Sequence, residues 1–354
     1  MHLPIPNQSR LNHPIHAVLL GTAVGDSLGL PAENLSARQI QKRWPGPWRH
    51  RFVFGRGMVS DDTEHTVFVA QCLADGPTDP KTFQRKLAWK LRWWLLGLPA
   101  GIGFATLRAI LKLWLGFPPS RSGVFSAGNG PSMRSALIGA YFAGKDHAIE
   151  SIVDYVRAST RLTHTDPKAE VAALAVALTA YRSVNDLSES RLDNLRALRT
   201  LGDPEDTAWA SLVDKMLDAH QHQLTVAEFA RDLDLENGVT GYSYHTVPVA
   251  LYAWLRHFGD YRAGLEAVLS CGGDTDTVGA ITRALLAINC PIPEDWHAGM
   301  CDYPLSRSYL EQLAAALESG YRKPPMFLWI ALPLRNLIFL IVVLAHVCRR
   351  LILS

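Results

Sequence analysis

The chain carries two short segments in which carboxylates and hydroxyls crowd together, at residues 60–63 and 272–277. In the second segment two glycines precede Asp274 and Asp276, and an apolar run follows at once, which predicts a turn that enters a helix. Oxygens at a helix entrance either cap the free N–H groups or bind a hard cation. Capping needs only one such oxygen, so the surplus favours a metal site. For residues 60–63 alone, an N-cap with acidic first-turn residues is an equally good interpretation.

Four further segments carry residues suited to binding or catalysis, and each has a plainer interpretation. Residues 21–33 place small side chains along a helix and end at Glu33, which also fits a tightly packed helix with a surface glutamate. Residues 128–134 form a small-residue loop before a helix, where free N–H groups suit a phosphate but an ordinary turn is equally compatible. His164 precedes a buried helix, where a structural hydrogen bond is commoner than catalysis. Tyr242 stands at a loop-to-helix junction, where an aromatic side chain stacks on a ring or fills the core.

The composition is that of an ordinary globular enzyme. The 354 residues are 48% hydrophobic and 19% charged, with a formal net charge of +2, so the basic footprint of a nucleic-acid-binding protein is missing. The five cysteines are scattered without a CxxC pair. This argues against a disulfide framework and a thiolate metal site, and indicates a reducing, cytoplasmic compartment. The first fourteen residues show no apolar stretch typical of a secretory signal.

Apolar residues recur at helical spacing from Ile15 onward, and convincing alternating strands are absent from the sequence. The sequence therefore predicts an all-α fold, a compact orthogonal bundle of many helices. It divides into a flexible segment at 1–14, one domain at 15–320 and a hydrophobic tail at 326–354. Residues 169–178 are apolar all round, which predicts a central buried helix. The predicted helices run near 15–25, 62–74, 81–96, 103–115, 132–144, 147–160, 168–182, 205–220, 225–235, 246–258, 260–270, 277–289 and 305–319.

The order of the motifs resembles that of the ADP-ribosylglycohydrolase family. The last motif is the most specific, and the resemblance spans about residues 15–300. It implies a compact all-α fold that holds two Mg²⁺ or Mn²⁺ ions in a cleft. It also implies hydrolysis of the N- or O-glycosidic bond between ADP-ribose and a protein side chain, or a related small conjugate. The matching segments are Gly25-Asp26-Ser27-Leu28-Gly29 with Glu33, Ser60-Asp61-Asp62-Thr63, Gly128-Asn129-Gly130 with Met133-Arg134, Thr163-His164, and Gly272-Gly273-Asp274-Thr275-Asp276-Thr277.

The resemblance also implies roles for individual residues. Glu33 falls on the position of a mobile catalytic glutamate, and the carboxylates of Asp62 and Asp274 are assigned to catalysis with it. The implied metal ligands are Ser60, where threonine is usual, Asp61, Asp62, Asp274, Asp276 and Thr277. The implied substrate-binding residues are Gly128, Asn129, Gly130, Ser132, Met133, His164 and Tyr242. Independently of the family, an all-oxygen ligand set suits Mg²⁺ or Mn²⁺ and disfavours zinc.

One position departs from the family pattern. In arginine-directed members the loop that resembles residues 97–103 carries an aspartate, a candidate general base, where this chain has Gly101. Its absence argues against arginine as the acceptor and leaves a non-catalytic ADP-ribose-binding or structural role as the alternative function. The complete acidic motifs favour a working metal site instead.

The composition changes abruptly at the tail, residues 326–354. Fourteen of its first 23 residues are Leu, Ile, Val or Phe, which would favour membrane insertion by about 4–8 kcal/mol. Arg335 opposes insertion by about 3 kcal/mol, and Pro333, Asn336 and His346 remove much of the rest. The sequence favours an interfacial tail on the inner face of the membrane slightly over a spanning helix. A final helix packed on the enzyme or on a partner subunit is an equal alternative.

Overall fold

Seventeen α-helices account for most of the described residues, and the all-α prediction is confirmed. The computed structural model describes residues 13–352 except 53, 77–78, 186–190 and 321–322. The predicted flexible segment at 1–14 therefore lies almost wholly outside the described residues. The helices are α1 (Pro14–Gly29), α2 (Ala37–Arg43), α3 (Asp61–Ala74), α4 (Pro80–Leu96), α5 (Phe104–Trp114), α6 (Ala136–Phe142), α7 (Ala148–Arg161), α8 (Pro167–Asn185), α9 (Arg191–Ala197), α10 (Thr207–Gln221), α11 (Val226–Asp232), α12 (Ser243–Arg256), α13 (Tyr261–Leu269), α14 (Thr275–Ala287), α15 (Glu294–Ala298), α16 (Arg307–Glu318) and α17 (Leu332–Ile352).

The helices follow the apolar periodicity closely, because that pattern is local to each segment. Every predicted helix is present, although the one predicted at 132–144 is a 3₁₀ turn, Ser132–Arg134, followed by α6. Helices α2, α9 and α15 were missed. For α2 the sequence held a signal, since Ser36 accepts from Gln39 N while the Gln39 side chain bonds back to Ser36, which is a capping box.

Helices α1 and α14 cross at the centre of the domain with their backbones in contact. A Cβ added to Gly25 of α1 would lie 2.3 Å from Gly279 O, and one added to Gly29 would lie 2.3 Å from Thr275 O. Only residues without a Cβ allow so close an approach. The contact places the C-terminal end of α1 directly beside the acidic start of α14.

Helix α8 is the buried helix that the sequence predicts. Its residues Ala169 and 171–178 are all buried. It packs against α6, α7 and α12. A helix with no polar face is stable only in such an enclosed position, which explains its apolar sequence.

Two short strands, β1 (Leu35–Ser36) and β2 (Gly272–Gly273), form an antiparallel pair. Gly272 and Gly273 both have positive φ, 75° and 83°. A Cβ on Gly272 would lie 2.4 Å from Leu35 O, and one on Gly273 would lie 2.0 Å from Val239 O. Asp274 N then donates to Val239 O over 2.7 Å. The two glycines thus pass between two other backbone segments and fix the direction in which α14 begins.

The tail folds into α17, which packs on the domain through one face. Its Arg335 is buried and pairs with Asp302 over 2.6 Å and with Glu64 over 3.2 Å. The same guanidinium also donates to Val59 O. Of the alternatives drawn from the sequence, the packed helix agrees with these contacts. The charge that opposed lipid insertion is therefore neutralised inside the protein.

Among the described residues, two helices are long and apolar enough to cross a membrane by length and composition alone. The first, Pro14–Ala32, is 89% buried and is a core helix of the domain. The second, Trp329–Arg350, has a mean hydropathy of 2.2 and only 22% of it is buried. Most of its apolar surface is therefore exposed.

Candidate active site

The two oxygen-rich segments predicted from the sequence lie side by side, at the N-termini of α3 and α14. The Thr277 hydroxyl donates to Asp62 Oδ2 over 3.2 Å, and the Ser60 hydroxyl donates to the same oxygen over 3.3 Å. A helix N-terminus stabilises nearby carboxylates, so two such ends hold negative charge at one place. We call the resulting group of carboxylates the acidic cluster. Its members are Asp26, Asp61, Asp62, Asp274 and Asp276.

Asp26 of α1 fixes the start of α3. It is fully buried, and its Oδ2 accepts from Ser60 N over 2.8 Å and from Thr63 N over 3.2 Å. The Thr63 hydroxyl donates to the same oxygen. The sequence indicated no role for Asp26, which lies within the motif Gly25-Asp26-Ser27-Leu28-Gly29. A buried carboxylate without partners costs folding free energy. An aspartate within a helix of small, buried residues was therefore the sequence signal that could have identified Asp26.

The acidic cluster is electrostatically crowded. Burial raises the pKa of the Asp26 carboxyl to about 6. Burial, and then the charge of Asp274, raise the pKa of Glu33 to about 7. Burial and the neighbouring carboxylates raise the pKa values of Asp62 and Asp276 well above their ordinary range. Carboxylates so close together ionise jointly only if a cation offsets their charge.

Three oxygens of the acidic cluster are buried without a hydrogen-bond partner, namely Asp26 Oδ1, Asp62 Oδ1 and Asp276 Oδ1. Such unpaired buried oxygens are rare and call for a donor or a cation. Oxygen ligands of this kind are those that Mg²⁺ prefers. Within the described ranges, however, no three His, Cys, Asp or Glu side chains already surround one point as a finished ion site. The residues therefore fit a hard divalent cation in chemistry, with hydroxyl or water oxygens needed to complete its shell.

Asn129 connects the acidic cluster to the predicted phosphate loop. Its side-chain amide donates to Asp274 Oδ2 over 2.6 Å and to the Thr246 hydroxyl over 2.9 Å. Its backbone N–H donates to Gly241 O over 3.0 Å. A Cβ on Gly241 would lie 3.5 Å from Asp274 Oδ2. The loop, the segment before α12 and the start of α14 therefore line one side of the cleft together.

The backbone of the 128–134 loop is already largely hydrogen-bonded. Gly128 N donates to the Ser126 hydroxyl, and the amides of Ser132 and Met133 both donate to Asn129 O. Each of these three donors is therefore used within the chain in this structure. That the amides of 128–132 anchor a diphosphate stays a prediction.

Arg134 is a structural residue of this loop. It is buried, and its guanidinium donates to Gly130 O over 3.2 Å and to the Thr163 hydroxyl over 3.0 Å. It also bonds to both the hydroxyl and the carbonyl oxygen of Ser159. These contacts tie the loop to the end of α7 and hold its carbonyls in place.

His164 and Tyr242 lie on either side of the same loop. His164 is buried, and a Cβ on Gly128 would lie 2.9 Å from its Nε2. Burial, with the nearby charge of Arg134, lowers the pKa of His164 to about 3, so the ring is neutral at physiological pH. Tyr242 is half-buried and pairs with Gly128 through an isolated antiparallel bridge. Both residues therefore lie against Gly128 of the loop.

Glu33 lies at the other edge of the acidic cluster, one turn beyond α1. It is half-buried, and the Asn34 amide donates to its Oε1 over 3.2 Å. Arg350 of α17 donates to Glu33 O over 3.2 Å. The last turn of the tail helix thus holds the backbone of the predicted catalytic glutamate, a contact that the sequence did not reveal.

Gly101 occupies an exposed turn between α4 and α5. Its φ is +81°, and a Cβ added to it would meet nothing within 4 Å. The position has room for a side chain, yet it supplies no carboxylate to the cleft. The departure seen in the sequence is therefore a real difference in the chemistry of this loop.

Comparisons with known proteins identify the family. The ADP-ribosylglycohydrolase family model matches residues 7–325. An uncharacterized protein of Archaeoglobus fulgidus is 31% identical over 310 residues, which cover 84% of this chain and 94% of that protein. The ADP-ribosyl-dinitrogen reductase glycohydrolase of Rhodospirillum rubrum is 26% identical over 310 residues, which cover 84% and 93%. A solved structure described as an ADP-ribosylglycohydrolase-related protein complex aligns with a TM-score of 0.61 and 25% identity, over 88% of this chain and 99% of that one. The chain belongs to the ADP-ribosylglycohydrolase family.

Proposed function

We propose that this protein hydrolyses the glycosidic bond between ADP-ribose and a modified protein side chain or a related small conjugate, with two Mg²⁺ or Mn²⁺ ions. The observation that carries the proposal is the acidic cluster, in which three buried carboxylate oxygens have no partner. The Asn129 loop borders this cluster directly through Asp274. A cation site beside a loop suited to a phosphate-bearing ligand is the arrangement that such a reaction needs.

The chain's own oxygens would hold the ions. Bound divalent cations would lower the pKa of a water molecule and fix the ribose hydroxyls for attack. Asp26 keeps the start of α3 in place through three hydrogen bonds to its Oδ2 and so positions three of the proposed ligands, Ser60, Asp61 and Asp62. The proposed ligands are Ser60, Asp61, Asp62, Asp274, Asp276 and Thr277.

Glu33 is the residue that would move a proton. In the metal-free chain, burial and the charge of Asp274 raise the pKa of the Glu33 carboxyl to about 7, which is close to the pH at which general acid–base catalysis is most effective. The Asn34 amide donates to Oε1, so the proton would be held at Oε2 while that bond is kept. Carboxylate oxygens facing the anomeric carbon would stabilise the developing oxocarbenium charge.

A second function, metal-dependent binding of ADP-ribose without hydrolysis, is favoured by one observation. Gly101 places no carboxylate on the turn where arginine-directed relatives carry a candidate base. If that base is essential, the chain would keep its ligand without cleaving it. The two functions differ in whether ADP-ribose is released.

The test uses peptides carrying ADP-ribose on arginine or on serine. Each peptide is incubated with the full chain in Mg²⁺ and in chelator, and free ADP-ribose is measured. We expect Mg²⁺-dependent release, lost by about 10²- to 10⁴-fold in Glu33→Gln, while the exposed Glu205→Gln control stays active. Release from the serine peptide alone would show that the Gly101 loop excludes arginine. Mg²⁺-dependent binding of ADP-ribose with no release from either peptide would establish the binding function and overturn hydrolysis.

A further inference from the structure

The outward face of α17 is a continuous apolar surface. Its large side chains are between 37% and 64% exposed. Exposed apolar surface of this extent is unusual in a monomeric soluble protein and marks a contact with a partner or a membrane. We call it the apolar face; it consists of Leu334, Leu337, Ile338, Ile341, Leu344 and Val347.

Three polar residues of α17 turn toward the domain. Arg335 enters its buried ion pairs, and Asn336 Nδ2 donates to Gly97 O over 2.7 Å. His346 Nε2 bonds to Pro31 O over 3.1 Å. Three of the four residues that weakened the tail as a membrane segment are thus absent from the apolar face, whereas Pro333 is exposed. What remains outside is an amphipathic helix with its apolar half exposed.

A strongly basic cavity of about 690 Å³ lies at the C-terminal end of α17. Its lining contains two histidines and no carboxylate among the described residues. Beside it, the aromatic ring of Phe54 is fully exposed. The Arg51 guanidinium lies 4.5 Å from the centre of the Trp44 ring, and its Nε is buried without a hydrogen-bond partner. The cations of the lining are Lys42, Arg43, Arg49, Arg51, Arg349 and Arg350.

We propose that the apolar face and the basic cavity together bind the surface of an anionic phospholipid bilayer. The apolar face would lie in the plane of the interface, buried to the depth of the headgroup–acyl boundary. The basic cavity would take headgroup phosphates, to which clustered arginines are suited. Phe54 would enter the interface beside it, where aromatic side chains are favoured.

The contacts of α17 favour this binding at the bilayer surface over a membrane-spanning helix and over a dimer. A spanning helix would have to withdraw Arg335 from Asp302 and Glu64 and leave two buried carboxylates unpaired, which is strongly unfavourable. Pairing of two copies through the apolar face with their helices parallel would bring Arg349 and Arg350 of one copy against those of the other. An anionic surface would instead offset the charges of these arginines and of the rest of the basic cavity.

The test is sedimentation of the full chain with vesicles of phosphatidylcholine alone or with on the order of 30% phosphatidylglycerol added to supply a negative surface potential. We expect binding only to the anionic vesicles, and its loss in high salt. The combined Arg49→Ala and Arg349→Ala variant should bind roughly ten- to thirtyfold less tightly. The combined Leu337→Gln, Ile341→Gln and Leu344→Gln variant should lose binding while its melting temperature is retained.

Two control variants remove the same numbers of cationic and apolar side chains from other exposed surfaces of the chain. The combined Lys81→Ala and Arg108→Ala variant, and the combined Leu111→Gln, Leu115→Gln and Ile149→Gln variant, should both bind anionic vesicles as the parent chain does. The proposal would be overturned if the chain bound zwitterionic and anionic vesicles equally, or bound neither. A dimer that the apolar-face variant dissociates would show that the apolar face binds a second copy instead. Stabilisation by free pyrophosphate that depends on Arg49, without any vesicle binding, would show that the basic cavity binds a soluble phosphate.

Discussion

The Thr277 hydroxyl donates to Asp62 Oδ2 over 3.2 Å, although the two residues are 215 positions apart. This bond joins the two acidic helix starts, which the packing of α1 against α14 and the hydrogen bonds of Asp26 to the start of α3 hold side by side.

Replacing Asp276 with asparagine should abolish cation binding. The substitution keeps the shape of the side chain but removes one of the crowded charges. In the chelator-treated parent chain, Mg²⁺ at about 100 times its dissociation constant should add about 2.7 kcal/mol of stability, seen as a rise in melting temperature. The variant should show no rise, whereas the exposed-site control Asp193→Asn should behave as the parent. An equal rise in both variants would remove Asp276 from the ligand set.

The metal-free chain should lose stability as pH rises from about 4 to about 7. The folded-state pKa values of Asp26 and Glu33, about 6 and about 7, lie above their unfolded values. Their contribution is therefore full below pH 4 and is lost as pH rises through the folded pKa. Histidines such as His164, whose pKa is lowered, act in the opposite sense. The measurement is therefore the difference in melting temperature between the Asp276→Asn variant and the parent chain, in which the contributions of the histidines cancel.

That difference has a defined sign. The melting temperature of Asp276→Asn minus that of the parent should increase from pH 4 to pH 7 in chelator, because the variant carries one fewer buried charge. Saturating Mg²⁺ should reverse the trend by offsetting the parent's carboxylates. A difference that is independent of pH would show that the cluster is not electrostatically crowded.

A series of three glycine substitutions should separate steric clash from backbone strain. Gly273→Ala places a Cβ 2.0 Å from Val239 O at a φ of 83°, and we expect roughly 2–6 kcal/mol of destabilisation. Gly144→Ala has a φ of 74° with open space around it, and should cost about 1–2 kcal/mol. Gly46→Ala meets nothing and should change stability by at most about 0.5 kcal/mol. Denaturant unfolding measures all three, and equal losses would contradict the close approach at β2.

Removing the Asn129 amide should weaken ligand binding. Asn129→Ala deprives Asp274 Oδ2 of a charge-assisted bond worth about 1.5–3 kcal/mol, so affinity for ADP-ribose in Mg²⁺ should fall by roughly 10- to 100-fold. Asn129→Asp should fall further, because it sets a second carboxylate against Asp274. Calorimetric titration measures the change, with the exposed-site control Asn185→Ala unaffected. Unchanged affinity for ADP-ribose in Asn129→Ala would show that this side chain does not contribute to ligand binding.

The buried ion pairs of Arg335 should support both the fold and the acidic cluster. Arg335→Ala leaves Asp302 and Glu64 unpaired, and we expect a loss of about 3–5 kcal/mol in unfolding free energy. It also releases Val59 O, directly before Ser60, so the melting-temperature rise with Mg²⁺ should shrink. Arg199→Ala breaks only a solvent-exposed pair with Asp214 and should leave the unfolding free energy nearly unchanged. A loss as small as in that control would mean that α17 is not needed by the domain.

The sequence predicted most helices because helical periodicity is a property of neighbouring residues. The family motifs also named the two oxygen-rich segments that the structure places side by side. Partners that are distant in sequence were not predictable from either source. Asn129 meets Asp274 across 145 positions, and nothing in the loop's own residues indicates that its amides are already occupied.

The tail was also only partly predictable from its sequence. Its composition shows that the segment is apolar but does not indicate which face of the helix is buried. Arg335 was counted as a cost to lipid insertion, yet it pairs with Asp302, 33 positions earlier. The outcome was fixed by a carboxylate in an irregular loop, a feature that helical periodicity does not register.

Because β2 lies between Leu35 and Val239, the start of α14 takes its place only after most of the chain has been made. During synthesis, the segment with Asp62 leaves the ribosome more than two hundred residues before Asp276. Until then the early carboxylates have neither the Thr277 hydroxyl nor the later proposed ligands. Under the proposed function, loading with metal would therefore be a late event, because contacts between residues so distant in sequence are the slowest to form. Metal uptake would then report that the nascent chain has finished folding.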